Sequence, residues 1–284
     1  MSGPARRRLL PSRLALLVAG TAGASAVLAQ AGPALTALPA VRRRLSPRLT
    51  GLGRTDHVAL TFDDGPDPAS TPQFLAELDR LGWKATFFML GSMARRAGSL
   101  AAEVAAAGHE VAVHGDVHLS QVWRSPSAVI DDARRARDTL AELTGTTPRW
   151  MRPPYGTLSG AGPEAARRAG LELVLWTAWG RDWRAEATPQ SVVDDVGTDM
   201  VPGGTVLLHD SDCTSAPGAW RSALGALPGL GQVWADQGWT VGPLWDHGLR
   251  PGPGGEGSSS GIRRRRGAAP GPGSHPAAGG GPTL

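Results

Sequence analysis

Between residues 57 and 248 the chain alternates short apolar runs with helix-length amphipathic stretches, and this alternation most restricts what it can fold into. Strand-length runs stand at 57–62, 85–90, 110–114, 149–152, 171–177 and 205–209, and the spacing between them predicts helices at 72–81, 93–107, 127–143, 163–169, 188–196 and 220–234. Several helices carry their own punctuation: Pro72 suits a first helical position, and Gly82, Gly108, Gly145 and Gly170 stand just past the ends. A parallel strand can be reached only through a crossover long enough to hold a helix. The pattern therefore argues for an α/β fold, either a parallel sheet or a β/α barrel.

The ends of the chain differ from its middle. The 284 residues carry a net charge of +4, but nine arginines and no acid lie before residue 56, and five arginines and one glutamate lie after 248, which leaves −9 for 56–248. An acidic globular part does not offer phosphates a basic footprint, so no nucleic-acid partner is expected. Arg6, Arg7, Arg8 and Arg13 precede an uncharged stretch, 14–41, rich in Ala, Leu and Val, which reads as an export signal with a small-residue cleavage site at Val27-Leu28-Ala29. The alternative is an uncleaved membrane anchor; Gly20, Gly23, Gly32 and Pro33 dilute its hydrophobicity, and Arg42 to Arg44 on the translocated side would break the positive-inside rule. Residues 1–45 are thus an export signal or membrane anchor with a basic linker, and in both readings the catalytic part works outside the cytoplasm, secreted or anchored on the outer face of the membrane. The tail, 249–284, is Gly-, Pro- and Ser-rich with an arginine block at 263–266, too poor in apolar surface to order itself. Cys213 is the single cysteine, so no intramolecular disulfide forms, and without a CxxC it reads as an incidental thiol. A monomer is expected.

The polar residues of the middle collect at one place in the pattern. Asp63 and Asp64 follow the first strand, His114 ends the third, Arg152 follows the fourth, Asp182 follows the fifth and His209 ends the sixth. In a parallel α/β fold the carboxyl ends of the strands form the functional face. One carboxylate with two histidines is a three-ligand metal set that leaves a coordination position open, and an adjacent second carboxylate is placed to act as a base. Each residue also has a plainer reading: an acidic turn before Gly65-Pro66, two loop histidines, a helix-capping arginine, a core histidine. Their joint occurrence on one edge favours a metal-dependent hydrolase. His57, His109, His247 and His275 are assigned to surface or tail.

The strings TFDDGP (61–66), HGDVH (114–118), RPPYG (152–156), RDW (181–183) and LLHD (207–210), in that order, resemble the five motifs of the polysaccharide deacetylase family, also called carbohydrate esterase family 4 or the NodB-homology domain. The resemblance covers about 57–239, within a catalytic domain expected at 56–248, and implies an irregular β/α barrel with catalytic residues at the carboxyl ends of the strands. It implies that Asp64, His114 and His118 hold a divalent metal, Zn first with Co or Mn as alternatives, and that Asp63 is the general base, paired with Arg152. It further implies His209 as general acid supported by Asp182, with Tyr155 through its backbone N–H, Pro153 and Trp183 forming the oxyanion and substrate pocket. The implied activity is N-deacetylation of an N-acetylglucosamine-type polysaccharide such as peptidoglycan or chitin-like oligomers. An O-acetyl esterase of xylan type on the same scaffold and a non-catalytic glycan-binding relative stand as alternatives.

Two positions depart from the family pattern. Gly115 stands where Ser or Thr usually follows the first motif histidine, and its backbone freedom is expected to loosen the loop. Trp179 stands where another Asp usually opens the fourth motif; it cannot pair with Arg152, but it can line the groove and stack on a sugar.

Overall fold

The computed structural model describes residues 27–30, 32–33, 42 and 47–249. The export segment and the tail after Leu249 therefore lie largely outside the described residues; no helix among those described is long and apolar enough to cross a membrane.

The strands are β1 (His57–Asp63), β2 (Thr86–Leu90), β3 (Glu110–Gly115), β4 (Trp150–Met151), β5 (Glu172–Leu173), β6 (Ala178–Trp179), β7 (Thr205–His209) and β8 (Thr240–Gly242). They pair throughout in parallel in the order β5-β4-β3-β2-β1-β7-β6, and β8 adds to the start of β1. Among the described residues no ladder joins β5 to β6, so the sheet curls into a half-barrel. The α/β architecture is the one the alternation implied. Every residue of β1 is buried, and its run from Val58 to Phe62 is apolar but for Thr61, as fits a central parallel strand covered on both faces.

The helices are α1 (Thr71–Arg80), α2 (Gly91–Arg96), α3 (Leu100–Ala106), α4 (Pro126–Thr144), α5 (Gly162–Arg168), α6 (Pro189–Asp199), α7 (Trp220–Asp236) and α8 (Leu244–His247). In α4 the hydroxyl of Ser125 accepts the Ala128 N–H, and Gly145 closes the helix with a left-handed φ of 68°. A capping box of Thr188 and Ser191 opens α6. The main core lies between sheet and helices. There Phe62 meets Phe74 and Phe87 at 5.0 Å between ring centres, and each such fully buried side chain contributes roughly 1.5–3 kcal/mol.

The structure corrects the sequence reading at four places. The helix expected at 93–107 is two, because Gly98 takes a φ of 65° and ends α2 before α3 restarts. The apolar run 171–177 is not one strand. It leaves β4 through β5, sends the Leu175 N–H to the Leu49 carbonyl, and reaches β7 through β6, so it crosses the open seam of the half-barrel. Its apolarity reports burial at that crossing, which periodicity cannot tell from strand. His57, His109 and His247, assigned to surface or tail, are 4 %, 4 % and 0 % exposed; His275 lies outside the described residues. Finally, β8 and α8 were not foreseen, being too short to carry a period.

Candidate active site

Asp63 ends β1, and Asp64 follows it with a φ of 78°, a left-handed conformation uncommon outside glycine. That turn sends the two carboxylates in different directions. The Oδ1 of Asp64 lies 3.2 Å from Nε2 of His114 and 3.2 Å from Nε2 of His118. Asp63 instead accepts from Arg152 at 2.6 Å and lies 3.7 Å from Nδ1 of His114.

These residues fit a divalent metal ion. One ligand atom each from Asp64, His114 and His118 lies within 4.8 Å of the others, and Asp64 Oδ1 is buried with no hydrogen-bond partner, an oxygen left for a cation. Burial alone would raise the Asp64 carboxyl, but the two imidazoles that face it hold it well below the usual carboxylate range. Its other oxygen accepts from the Thr214 hydroxyl at 2.7 Å. A set of two nitrogens and one oxygen suits zinc and other first-row ions.

Arg152 is fully buried; two of its three guanidinium nitrogens make short contacts, while Nε has no hydrogen-bond partner. One nitrogen donates to Asp63 at 2.6 Å and to the Thr61 hydroxyl at 2.8 Å, and another donates to the Leu175 carbonyl at 2.8 Å. The guanidinium lies 4.0 Å from the Phe88 ring centre and 5.7 Å from that of Trp176. Burial lowers its affinity for the proton, and the Asp63 carboxylate opposes that. The missing second carboxylate at Trp179 is made up here by a hydroxyl, a carbonyl and aromatic faces.

Across the cavity, Nδ1 of His209 meets Oδ1 of Asp182 at 2.9 Å, while the other Asp182 oxygen accepts the His209 backbone N–H at 2.7 Å. Burial works against a charged imidazole, but Asp182, with Asp64 and Asp63 behind it, overcomes this and holds His209 at about 10. It therefore carries a proton at neutral pH.

Asp63, His114, His118, Tyr155, Gly156, Trp176, Trp179, Trp183, Leu207, His209 and Thr214 enclose a cavity of about 280 Å³. Trp179 sits between Trp176 and Trp183, with ring centres at 5.6 and 6.1 Å, which matches the groove-lining role expected of it. Tyr155 has a φ of 60° and places its exposed ring edge-on to His118 at 4.4 Å. Pro153 does not line the cavity. It is buried beneath it, and its carbonyl accepts the Gly156 N–H at 2.9 Å, so its part is to shape the turn.

Three residues at the site escaped the sequence reading. Thr61 and Thr214 are hydroxyls whose partners lie 91 and 150 residues away, and nothing local marks them. Trp176, one of ten tryptophans that suit sugar stacking on sequence grounds, sits in the misread run. Asp210, next to His209, was legible as a neighbour but not as a role: it accepts from the Thr71 hydroxyl at 2.6 Å, and a Cβ on Gly65 would strike its carboxylate. Burial, with Asp64 nearby, pushes Asp210 up to about 7.

A parallel half-barrel with this set at the carboxyl ends of its strands defines a hydrolase of the carbohydrate-esterase kind. The family model described as polysaccharide deacetylase matches residues 51–174. A peptidoglycan-N-acetylglucosamine deacetylase of Bacillus cereus is 37% identical over 155 residues, which are 54% of this chain and 72% of that protein. The peptidoglycan-N-acetylmuramic acid deacetylase PdaC of Bacillus subtilis is 33% identical over 162 residues, 57% of this chain, and the match spans about a third of PdaC's length, 34%. Among solved structures, a peptidoglycan N-acetylglucosamine deacetylase in complex with a naphthalenyl N-oxidanyl-benzamide superposes with a TM-score of 0.64 at 26% identity, covering 71% of this chain and 93% of the other. The chain belongs to the polysaccharide deacetylase family.

Proposed function

We propose that this protein is a divalent-metal-dependent hydrolase that removes N-acetyl groups from an N-acetylglucosamine-type polysaccharide, with peptidoglycan or chitin-like oligomers as substrate. One observation carries the reading: a carboxylate bonded to the Arg152 guanidinium and an imidazole bonded to Asp182 line one cavity beside the three candidate metal ligands. A base and an acid with opposite protonation are what amide hydrolysis needs at neutral pH.

Asp64, His114 and His118 would hold the metal, most simply zinc, which when bound polarises the acetyl carbonyl and makes water more acidic. Asp63 would take the proton from the attacking water, and the Arg152 bond keeps that carboxylate aimed. The backbone N–H of Tyr155, a residue that lines the cavity, would donate to the carbonyl oxygen as it gains charge. His209 gives its proton to the departing sugar amine, and Asp182 holds the ring so that the proton sits on the nitrogen facing the cavity. Trp176, Trp179 and Trp183 supply flat apolar faces for sugar rings and the acetyl methyl.

The test is acetate release from an N-acetylglucosamine oligomer by the full chain, after chelation and again after adding Zn, Co or Mn. Metal-restored release supports the proposal. No release with any metal would sink it, and release from acetylated xylan alone would move the reading to an O-acetyl esterase. Rate against pH should be bell-shaped, its limbs belonging to the coupled site. The same proposal puts the catalytic part outside the cytoplasm, from the basic, then apolar, amino terminus. Fractionation of a tagged full-length chain checks this, and a wholly cytoplasmic signal would refute it.

A further inference from the structure

His114 and His118 are joined by a loop whose shape must bring both Nε2 atoms to Asp64. Gly115 was expected to loosen that loop, yet the structure ties it from two helices. Gly115 has a φ of 116°, which side chains rarely adopt, and a Cβ there would stand 3.0 Å from Oδ2 of Asp132 and 3.3 Å from the Val117 carbonyl oxygen. That same Oδ2 accepts the backbone N–H of Asp116 at 2.9 Å, while Oδ1 faces the Arg124 guanidinium at 2.9 Å. Asp132 projects from α4 and is only 4 % exposed. From α2, Arg95 grips the Asp116 carboxylate at 2.8 and 3.2 Å, and the Ser92 N–H bonds the Asp116 carbonyl at 2.9 Å.

We propose that Asp132 is a positioning residue for the metal site: its bond to the Asp116 N–H sets the HGDVH loop in its ligating shape, in place of the hydroxyl that Gly115 lacks. A side-chain oxygen that accepts a buried backbone N–H fixes the orientation of that peptide, and leaving the N–H unpaired would be costly. The space beside residue 115 is already taken by this carboxylate, so glycine and Asp132 are two halves of one arrangement. The inference rests on the metal assignment proposed above.

The experiment measures Zn affinity of the full chain by competition with a chromogenic chelator, with melting of each metal-free variant as control. Asp132→Ala is expected to bind Zn about 10- to 100-fold more weakly, the usual effect of losing a partner that orients a ligand. Asp132→Asn keeps an oxygen for the Asp116 N–H, and Arg124→Ala keeps the carboxylate, so both should stay near the native affinity. Native-like Zn binding by Asp132→Ala would overturn the proposal. So would an Asp132→Asn variant as weak as Asp132→Ala, since the effect would then lie in charge. Should Asp132→Ala not fold, Gly115→Ala carries the test: its methyl displaces Asp132 and should weaken Zn binding comparably, and unchanged affinity there would overturn the proposal equally. If the native chain binds no Zn, Co or Mn, the metal assignment fails instead.

Discussion

The two edges of the half-barrel each bury a pair of histidines, and they use them in opposite ways. At the amino-terminal edge, Nδ1 of His57 meets Nδ1 of His247 at 2.8 Å, and Nε2 of His247 lies 3.0 Å from both the Gly51 and Gly203 carbonyls. Those carbonyls require a proton on Nε2 of His247, so its Nδ1 accepts from His57 and both rings are neutral. At the carboxyl-terminal edge, His114 and His118 aim their Nε2 atoms at a carboxylate oxygen with no hydrogen-bond partner, and their Nδ1 atoms have no hydrogen-bond partner either. Burial is common to both pairs. Unspent bonding capacity is what separates a site from a clasp.

The matched pair His114→Ala and His247→Ala sharpens this contrast most. His114→Ala should lose stoichiometric zinc and acetate release altogether while the metal-free melt changes little. His247→Ala orphans two carbonyls and its His57 partner, so it should cost stability by about 1–3 kcal/mol for each buried group left unsatisfied and keep zinc affinity. Equal loss of zinc affinity in both variants would erase the distinction between the edges.

Asp63→Asn comes next in size. Its rate should fall by about 10²- to 10⁴-fold, the range for loss of a general base, with zinc still bound. Retained turnover would move the base elsewhere. Asp63→Ala should in addition cost stability of roughly 3–5 kcal/mol, because it leaves the Arg152 charge buried alone.

The structural histidines predict an acid limb of stability. Burial pulls His247 down to about 4, with His57 adding to the effect, and burial with Lys84 pulls His109 down to about 4. Unfolded, they would titrate near 6.5, so each contributes stability that is complete above that pH and is lost as pH falls from about 6.5 towards 4. A melting temperature flat across that window would contradict it. The smallest change is expected from Tyr155→Phe, which leaves the backbone N–H in place and should keep most activity; a loss comparable to Asp63→Asn would show that the hydroxyl itself works.

The sequence spelled out much of this molecule. The strand–helix alternation carried the α/β class, since the crossover between parallel strands has a length and a period. The five motifs carried Asp63, Asp64, His114, His118, Arg152, Asp182 and His209, because their chemistry is uncommon at the ends of apolar runs. Neither signal could show Thr61 under Arg152 or Thr214 on Asp64, since those contacts join segments distant in the chain.

What the sequence by itself determined is therefore most of the strands and helices and which carboxylates and imidazoles stand at the ends of apolar runs, all written in local spacing. Only the tertiary structure decided that the 171–177 run crosses the seam and that the buried His57 and His247 clasp each other while His114 and His118 stay unsatisfied. It also decided that Gly115 is held by Asp132 rather than loosened. The reason is physical: whether a buried polar atom is spent or free depends on partners brought by the fold from far along the chain, and no window of sequence contains them.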